Sequence, residues 1–328
     1  MSIPISRVAQ NREGRALPAE SGMALILVLL ILTVAMLLVT NMLKDQDLAL
    51  HMTRSHIELI QAREYALSGE EIARQILFED WSSDPLKDFA GESWGSDELF
   101  YEYDEGSVTL QIRDLQSCFN LNNLHGTGTL TTLSRTRFNQ LLTQLQVNLV
   151  YAERIVDWID GDQTPLPSGA EDYHYLSLEQ PYRTGDTLMA DVSELKLILD
   201  MTIEDYNQLS QHVCTLPVTS TSLNVNTASS TLLETLSPGI TPQQIEQAIA
   251  AREASLGFTD LDAFQQALGN PQGYQAGGLS VNTRFFNVLV RADYNGRIAW
   301  LSSLIERNPT DGTMRIVARD FSRPRDYL

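Results

Sequence analysis

The sequence predicts an α+β protein: a very long N-terminal helix packed on an antiparallel sheet, with a large all-helical domain inserted into that sheet. Three observations carry the prediction. Residues 23–43 are 21 consecutive positions without charge, Pro or Gly, and the helical pattern continues past them to about Trp81. Strand-like alternation occurs at residues 98–112 and returns only at residues 284–319. Between these stretches the helical patterns dominate.

The first element is a membrane-scale helix. At ~1.5 Å per residue, residues 23–43 can cross a ~30 Å hydrocarbon core. Arg7, Arg12 and Arg15 precede the run and an acidic chain follows it. By the positive-inside rule this places the N-terminus in the cytoplasm. The run is longer than the apolar stretch of a secretory signal, and no small-x-small site follows it. Beyond it, Leu59, Ala62, Ala66, Ala73 and Leu77 form a one-sided apolar stripe. That stripe needs a sheet laid across it. Asp84-Pro85 is the expected stop.

The first hairpin comprises residues 98–103 and 107–112, with Asp104-Glu105-Gly106 as the turn. From residue 114 to 278, helical patterns occupy residues 133–149, 151–157, 192–199, 203–212, 231–236, 242–253 and 261–268. A weak internal repeat divides this stretch. Cys118-Phe119-Asn120-Leu121-Asn122 matches Ser222-Leu223-Asn224-Val225-Asn226, and Asp191-Val192-Ser193-Glu194-Leu195 echoes Asp260-Leu261-Asp262-Ala263-Phe264. The reading is two helical subunits, 114–217 and 218–278. The sheet is completed at 284–292, 298–306 and 313–319, with Asn295-Gly296 as a strong hairpin turn.

Composition narrows the function classes. The formal net charge is −19, with residues 1–22 at +1 and the remainder at −20. Such a surface repels nucleic acid and attracts divalent cations and basic partners. The segment from Leu236 to Ile245 looks like a helix–hairpin–helix, but Thr241 stands where the motif has its second Gly and cations are sparse, so a protein-interaction scaffold is the better reading. The five His form no catalytic or zinc pattern, and no pair of carboxylates is singled out as acid and base. Cys118 and Cys214 pair in an oxidising compartment if their Cα atoms come within reach, and remain two thiols in the cytosol.

The sharpest constellation runs from Asp160 to Asp172. Asp160, Asp162, Glu171 and Asp172 gather around a loop interrupted by Pro165 and Pro167. Hard cations take six to eight oxygens from such carboxylates and turn carbonyls. Asp160, Asp162, Thr164 and Glu171 match an EF-hand count at positions 1, 3, 5 and 12, but Pro165 occupies the position of its Gly, so this is not an EF-hand. A solvated acidic turn is the competing reading. Asp157, on the preceding helix, is a weaker ligand candidate.

The junction Glu20-Ser21-Gly22-Met23-Ala24-Leu25 resembles the leader junction of type IV prepilins and type II secretion pseudopilins. In that family a membrane peptidase cuts after the Gly and the new N-terminus is methylated. The resemblance makes 1–22 a cleaved leader and Gly22 and Met23 processing residues. Leu27 stands at the fifth mature position, where most members carry Glu; the K-type minor pseudopilin is the member known for lacking it. Further residues carry that resemblance: Phe119-Asn120-Leu121-Asn122-Asn123-Leu124, Asp157-Trp158-Ile159-Asp160-Gly161-Asp162, Gly169-Ala170-Glu171-Asp172, Tyr182, Ser193-Glu194-Leu195 and Asn224-Val225-Asn226-Thr227-Ala228. The chain is thus similar to the K-type minor pseudopilins along nearly its whole length.

The resemblance implies residues 23–43 as the transmembrane and filament-core part of the helix, and a pilin-like body made of 44–113 and 279–328. It implies a single-pass inner-membrane protein with its bulk in the periplasm, at the tip of a short pseudopilus. There it would start or cap assembly for protein export, without enzymatic activity. The implied partners are the I-, J- and H-type minor pseudopilins and the prepilin peptidase, with calcium bound in the helical domain. The rival from another class is a single-span periplasmic hydrolase or sensor whose acidic loop is an active site.

Overall fold

A computed structural model describes residues 20–96 and 98–323, with side chains from Met23 onward. The first nineteen residues, most of the expected leader, lie outside the described residues. The chain separates into two units, residues 1–58 and 59–328. The first helix, α1 (Glu20–Ser83), is a member of both.

In the first unit, large apolar side chains from Met23 to Met52 are exposed on every face of α1, Leu27 among them. Polar backbone groups are satisfied within the helix, so an apolar surface on all sides suits a lipid or bundle environment. The helix is long and apolar enough to cross a membrane.

In the second unit, α1 lies on a five-stranded antiparallel sheet of order β1-β2-β7-β8-β9. The strands are β1 (Leu99–Tyr103), β2 (Gly106–Asp114), β7 (Phe285–Tyr294), β8 (Arg297–Arg307) and β9 (Met314–Asp320). Asn295 and Gly296 both have positive φ, 49° and 79°, as a type I′ turn requires. Ala66, Ala73 and Leu77 pack against Val108, Leu110, Ile112, Val288, Val290 and Leu301. Leu59, at the start of the expected stripe, is only half-buried.

The gap of seven in that stripe is filled by Gly69. A Cβ there would stand 2.6 Å from Val290 Cγ1 and 2.8 Å from Val108 Cγ1. The missing side chain therefore sets how closely the helix sits on the sheet. Gly69→Val should overpack this interface and cost about 2–3 kcal/mol in a denaturant titration; an unchanged midpoint would refute the role. Next to it, the buried Glu70 carboxylate accepts from Arg319 at 2.7 and 2.8 Å and from the Ser303 hydroxyl, pinning β8 and β9 to the helix.

The helical insertion enters after β2 and leaves before β7, so its two ends join neighbouring strands. Its elements are β3 (Phe119–Asn120), α2 (Thr129–Gln144), α3 (Val150–Ile159), α4 (Asp172–Leu176), α5 (Ile203–Leu209), β4 (Val213–Cys214), β5 (Leu223–Asn224), α6 (Ser230–Glu234), α7 (Pro242–Ala254), α8 (Leu261–Ala267) and β6 (Leu279–Ser280). The helix expected over 133–149 begins and ends earlier: α2 stops at Gln144, and Gln146 takes φ 58° before α3 begins. The expected helix at 192–199 is a 3₁₀ turn, Val192–Leu197.

The internal repeat is a repeated way of closing a unit. Phe119 and Asn120 pair in parallel with Val213 and Cys214; Leu223 and Asn224 pair in parallel with Leu279 and Ser280. In the first copy the buried Asn122 side chain accepts from Met189 N–H and donates to the Met189 and Leu216 carbonyls. In the second, Asn226 accepts from Phe258 N–H and donates to the Phe258 and Val281 carbonyls. Asp191 and Asp260, the echoed residues, cap the helical turns that follow each stitch. Buried backbone groups without a strand ladder need such side-chain partners. Cys118 and Cys214 are disulfide-bonded, with Cα atoms 5.8 Å apart, at the closure of the first copy.

Candidate functional site

The acidic loop departs from the end of α3. Asp157 lies fully buried on its last turn, and its carboxylate receives Leu166 N–H at 3.1 and 3.3 Å. Glu153, one turn earlier, receives Ser168 N–H at 2.5 Å. These two carboxylates hold the Pro-containing loop from inside. Asp157 leaves no room beside it: a Cβ on Gly169 would fall 1.8 Å from its Oδ2. That close approach is the physical reason for a glycine in Gly169-Ala170-Glu171.

Asp160, Asp162 and Glu171 converge, each offering one carboxylate oxygen with all three within 4.8 Å of one another. Asp160 receives Asp162 N–H at 3.3 Å, and Asp162 receives Thr164 N–H at 2.8 Å, so successive side chains wrap the turn. Glu171 is the critical member. It is only 2% exposed, yet neither carboxylate oxygen has a hydrogen-bond partner. Its backbone N–H donates to His174 Nδ1 at 3.1 Å. Burial, with Asp157, Asp160, Asp162 and Asp186 around it, pushes the Glu171 carboxyl up to about 8. Burial likewise raises Asp157 to about 6 and moves Asp160 upward.

A buried carboxylate without donors, facing two more, is costly unless a cation joins it. The donor set is all hard oxygen, which suits Ca²⁺ and excludes soft-metal preference. The residues fit the ion.

Asp172 is not in this group. It is the first residue of α4, and it receives Thr184 N–H and Thr184 Oγ1–H at 3.0 Å each and Arg183 at 2.8 Å. Burial opposes its ionisation, but Thr184 and Arg183 hold its carboxyl below the ordinary value. Of the four expected ligands, the fold brings three together and gives the fourth to the loop at 183–184.

Glu153 and Asp186 also shape the site and are not among the residues that the sequence singles out. Asp186 sits in the left-handed region, φ 45°, shares the one Thr184 Oγ1–H with Asp172 at 2.7 Å, and receives Gln163 Nε2–H at 3.3 Å. Only the acidic spacing i−4 from Asp157 could have flagged Glu153; nothing in the sequence placed Asp186 near Glu171. The helix–hairpin–helix segment has its α7 N–H groups partly used: Thr241 Oγ1 accepts from Gln244 N–H, and Gln244 Oε1 accepts from Thr241 N–H.

Gly169→Ala should displace Asp157 and open the loop. The expected result is quicker hydrogen exchange across residues 160–171, with the sheet still protected. Unchanged exchange would show that Asp157 does not shape the loop.

The architecture is a long N-terminal helix on an antiparallel sheet, interrupted by a compact helical insertion with an acidic loop, and a particular family carries it. Comparison with known proteins specifies which. Residues 117–218 and 223–282 match the family models described as type II secretion system (T2SS), protein K. The type II secretion system protein K of Pseudomonas aeruginosa is 33% identical over 318 residues, covering 93% of each chain. That of Pectobacterium carotovorum subsp. carotovorum is 34% identical over 260 residues, covering 75% of this chain and 79% of its own. A solved chain from the GspK-GspI-GspJ complex of enterotoxigenic Escherichia coli superposes with a TM-score of 0.72 at 26% identity. The match covers 83% of this chain and 99% of that one. The chain belongs to the type II secretion system protein K family. This kinship does not favour the single-span hydrolase or sensor.

Proposed function

We propose that this chain is the tip subunit of a pseudopilus, anchored by α1 in the inner membrane before assembly, with its second unit in the periplasm. The observation that carries the reading is the fold shared with a protein solved as GspK-GspI-GspJ. By that likeness, the chain joins I- and J-type minor pseudopilins, with an H-type subunit as a further partner. Its part in secretion is assembly and not catalysis. The helical insertion between β2 and β7 is bulk that a subunit can carry only where nothing stacks above it. A peptidase would remove residues 1–22 after Gly22, leaving methylated Met23.

In this reading Asp160, Asp162 and Glu171 hold a calcium ion. The ion would supply the positive charge that three converging carboxylates lack, fixing the loop between α3 and α4. Glu153, Asp157 and Gly169 shape the loop. Asp172 orders the entry to α4 through Thr184 and Arg183.

The test is co-purification. The full chain, expressed with the I- and J-type subunits of the same cell, should elute with both as one complex, and mass spectrometry should find a methylated Met23 at its start. Failure to bind either subunit, with an intact residue 1 in peptidase-competent cells, would overturn the proposal.

A further inference from the structure

Where α1 ends, the second unit buries more acid than base. Asp80 on the last turns of α1, and Asp88 and Glu92 on the segment that follows, bring one oxygen each within 4.8 Å of the others. The nearest cation is Arg307 at the end of β8, itself almost wholly buried and stacked 4.7 Å over the Phe286 ring. Three carboxyl groups and one guanidinium leave two excess negative charges if all ionise.

The partners are unequal. Asp88 takes the charge of Arg307 directly and also receives Thr283 N–H at 2.7 Å. Glu92 receives Trp94 Nε1–H at 2.7 Å and Phe89 N–H at 3.1 Å. Asp80 has only a 3.5 Å contact with Arg307, and one of its oxygens stands within 4.8 Å of one on Glu92. Two carboxyl groups can hydrogen-bond only when one carries a proton.

Other charges nearby do not relieve the pair. Asp84 adds a further negative charge near Asp88. Lys87 is turned to the Leu256 carbonyl at 2.7 Å. Arg284 pairs with Glu306. Asp114, across Thr283, is held by four donors: Gln116 N–H, Asn224, Thr227 and Thr283.

We propose that the Asp80–Glu92 pair is a proton-dependent latch: one shared proton ties the end of α1 to the segment around Glu92, and its loss loosens that junction. Burial and the charge of Asp88 push Asp80 up to about 6; burial and the charge of Asp80 push Glu92 up to about 7. Both lie above the ordinary carboxyl values. The stability they confer is therefore complete below those ordinary values, declines as pH rises through about 6, and the last, shared proton is lost through about 7.

The test is thermal unfolding of the full chain in detergent under saturating calcium, which keeps the Asp160–Glu171 loop from entering the reading. From pH 5.5 to 8.5 the wild-type midpoint should fall by about 2–4 °C or more. Glu92→Gln should keep the low-pH midpoint at pH 8.5. Asp80→Asn serves as a second variant with the same expectation. Trp94, whose indole donates to Glu92, should show a fluorescence change over the same pH range that Trp94→Phe removes. A wild-type midpoint that is flat or rises with pH, or variants that fall as the wild type does, would overturn the latch.

Discussion

Adding calcium to the chelator-treated full chain is expected to raise its thermal midpoint by about 5–10 °C at a hundredfold excess over Kd, because binding to the folded state alone contributes about 2.7 kcal/mol. Asp162→Ala should lose this shift while leaving the chelator-treated midpoint nearly unchanged, since Asp162 is exposed and accepts only Thr164 N–H at 2.8 Å. Glu171→Gln is more diagnostic. In chelator above pH 8, where the Glu171 carboxyl carries its charge, it removes a buried charge that has no donors and faces like charges, so its midpoint should equal or exceed the wild type. In calcium it should fall below the wild type. The inversion distinguishes a cation site from an acidic turn, which predicts no calcium shift in any of the three proteins.

Removing the disulfide is the second large effect. Cys118 and Cys214 are 96 residues apart, and the bond closes the first helical unit at its base. Cys214→Ser is expected to cost about 2–5 kcal/mol, read as an earlier urea midpoint. Hydrogen exchange should quicken between residues 119 and 213, while β7 and β8 keep their protection because the sheet is tied by Glu70 and Arg319 instead. Equal midpoints with and without the bond, or loss of protection spread evenly through the sheet, would contradict this placement.

Much of the fold was legible because its signals are local. The 21-residue apolar run, the alternation in β2 and β8 and the Asn295-Gly296 turn each report their own conformation. What escaped depends on distant partners. Gly69 has no side chain to extend the stripe of large apolar residues, so the stripe skipped the position where a Cβ would collide with Val108 and Val290. The short parallel pairings of β3 with β4 and β5 with β6 are too brief to leave a period, although the repeated Asn-x-Asn marked where they begin.

The site was legible to the same degree. Asp160, Asp162 and Glu171 converge because turn geometry follows from their spacing. Asp172 was placed with them by adjacency alone. One residue past Glu171 the helix α4 begins and points the side chain to Thr184, which no spacing in the sequence reveals.

The seam between β2 and β7 carries a consequence for how the molecule is made. Gly106 is paired with Tyr294 and Asp114 with Phe286, so the centre of the sheet joins residues more than 170 positions apart. During synthesis β1 and β2 emerge long before β7 exists. Until then the inner face of α1 from Ala62 to Leu77 has no complete cover and β2 presents an open edge. Both helical units, closed by their own Asn stitches, have partners within their own span and can fold first. The sheet is then the last part to form and the slowest, as high sequence separation dictates. A nascent or truncated chain ending before residue 285 would expose that open edge to other chains, and aggregation of such fragments is the hazard this topology carries.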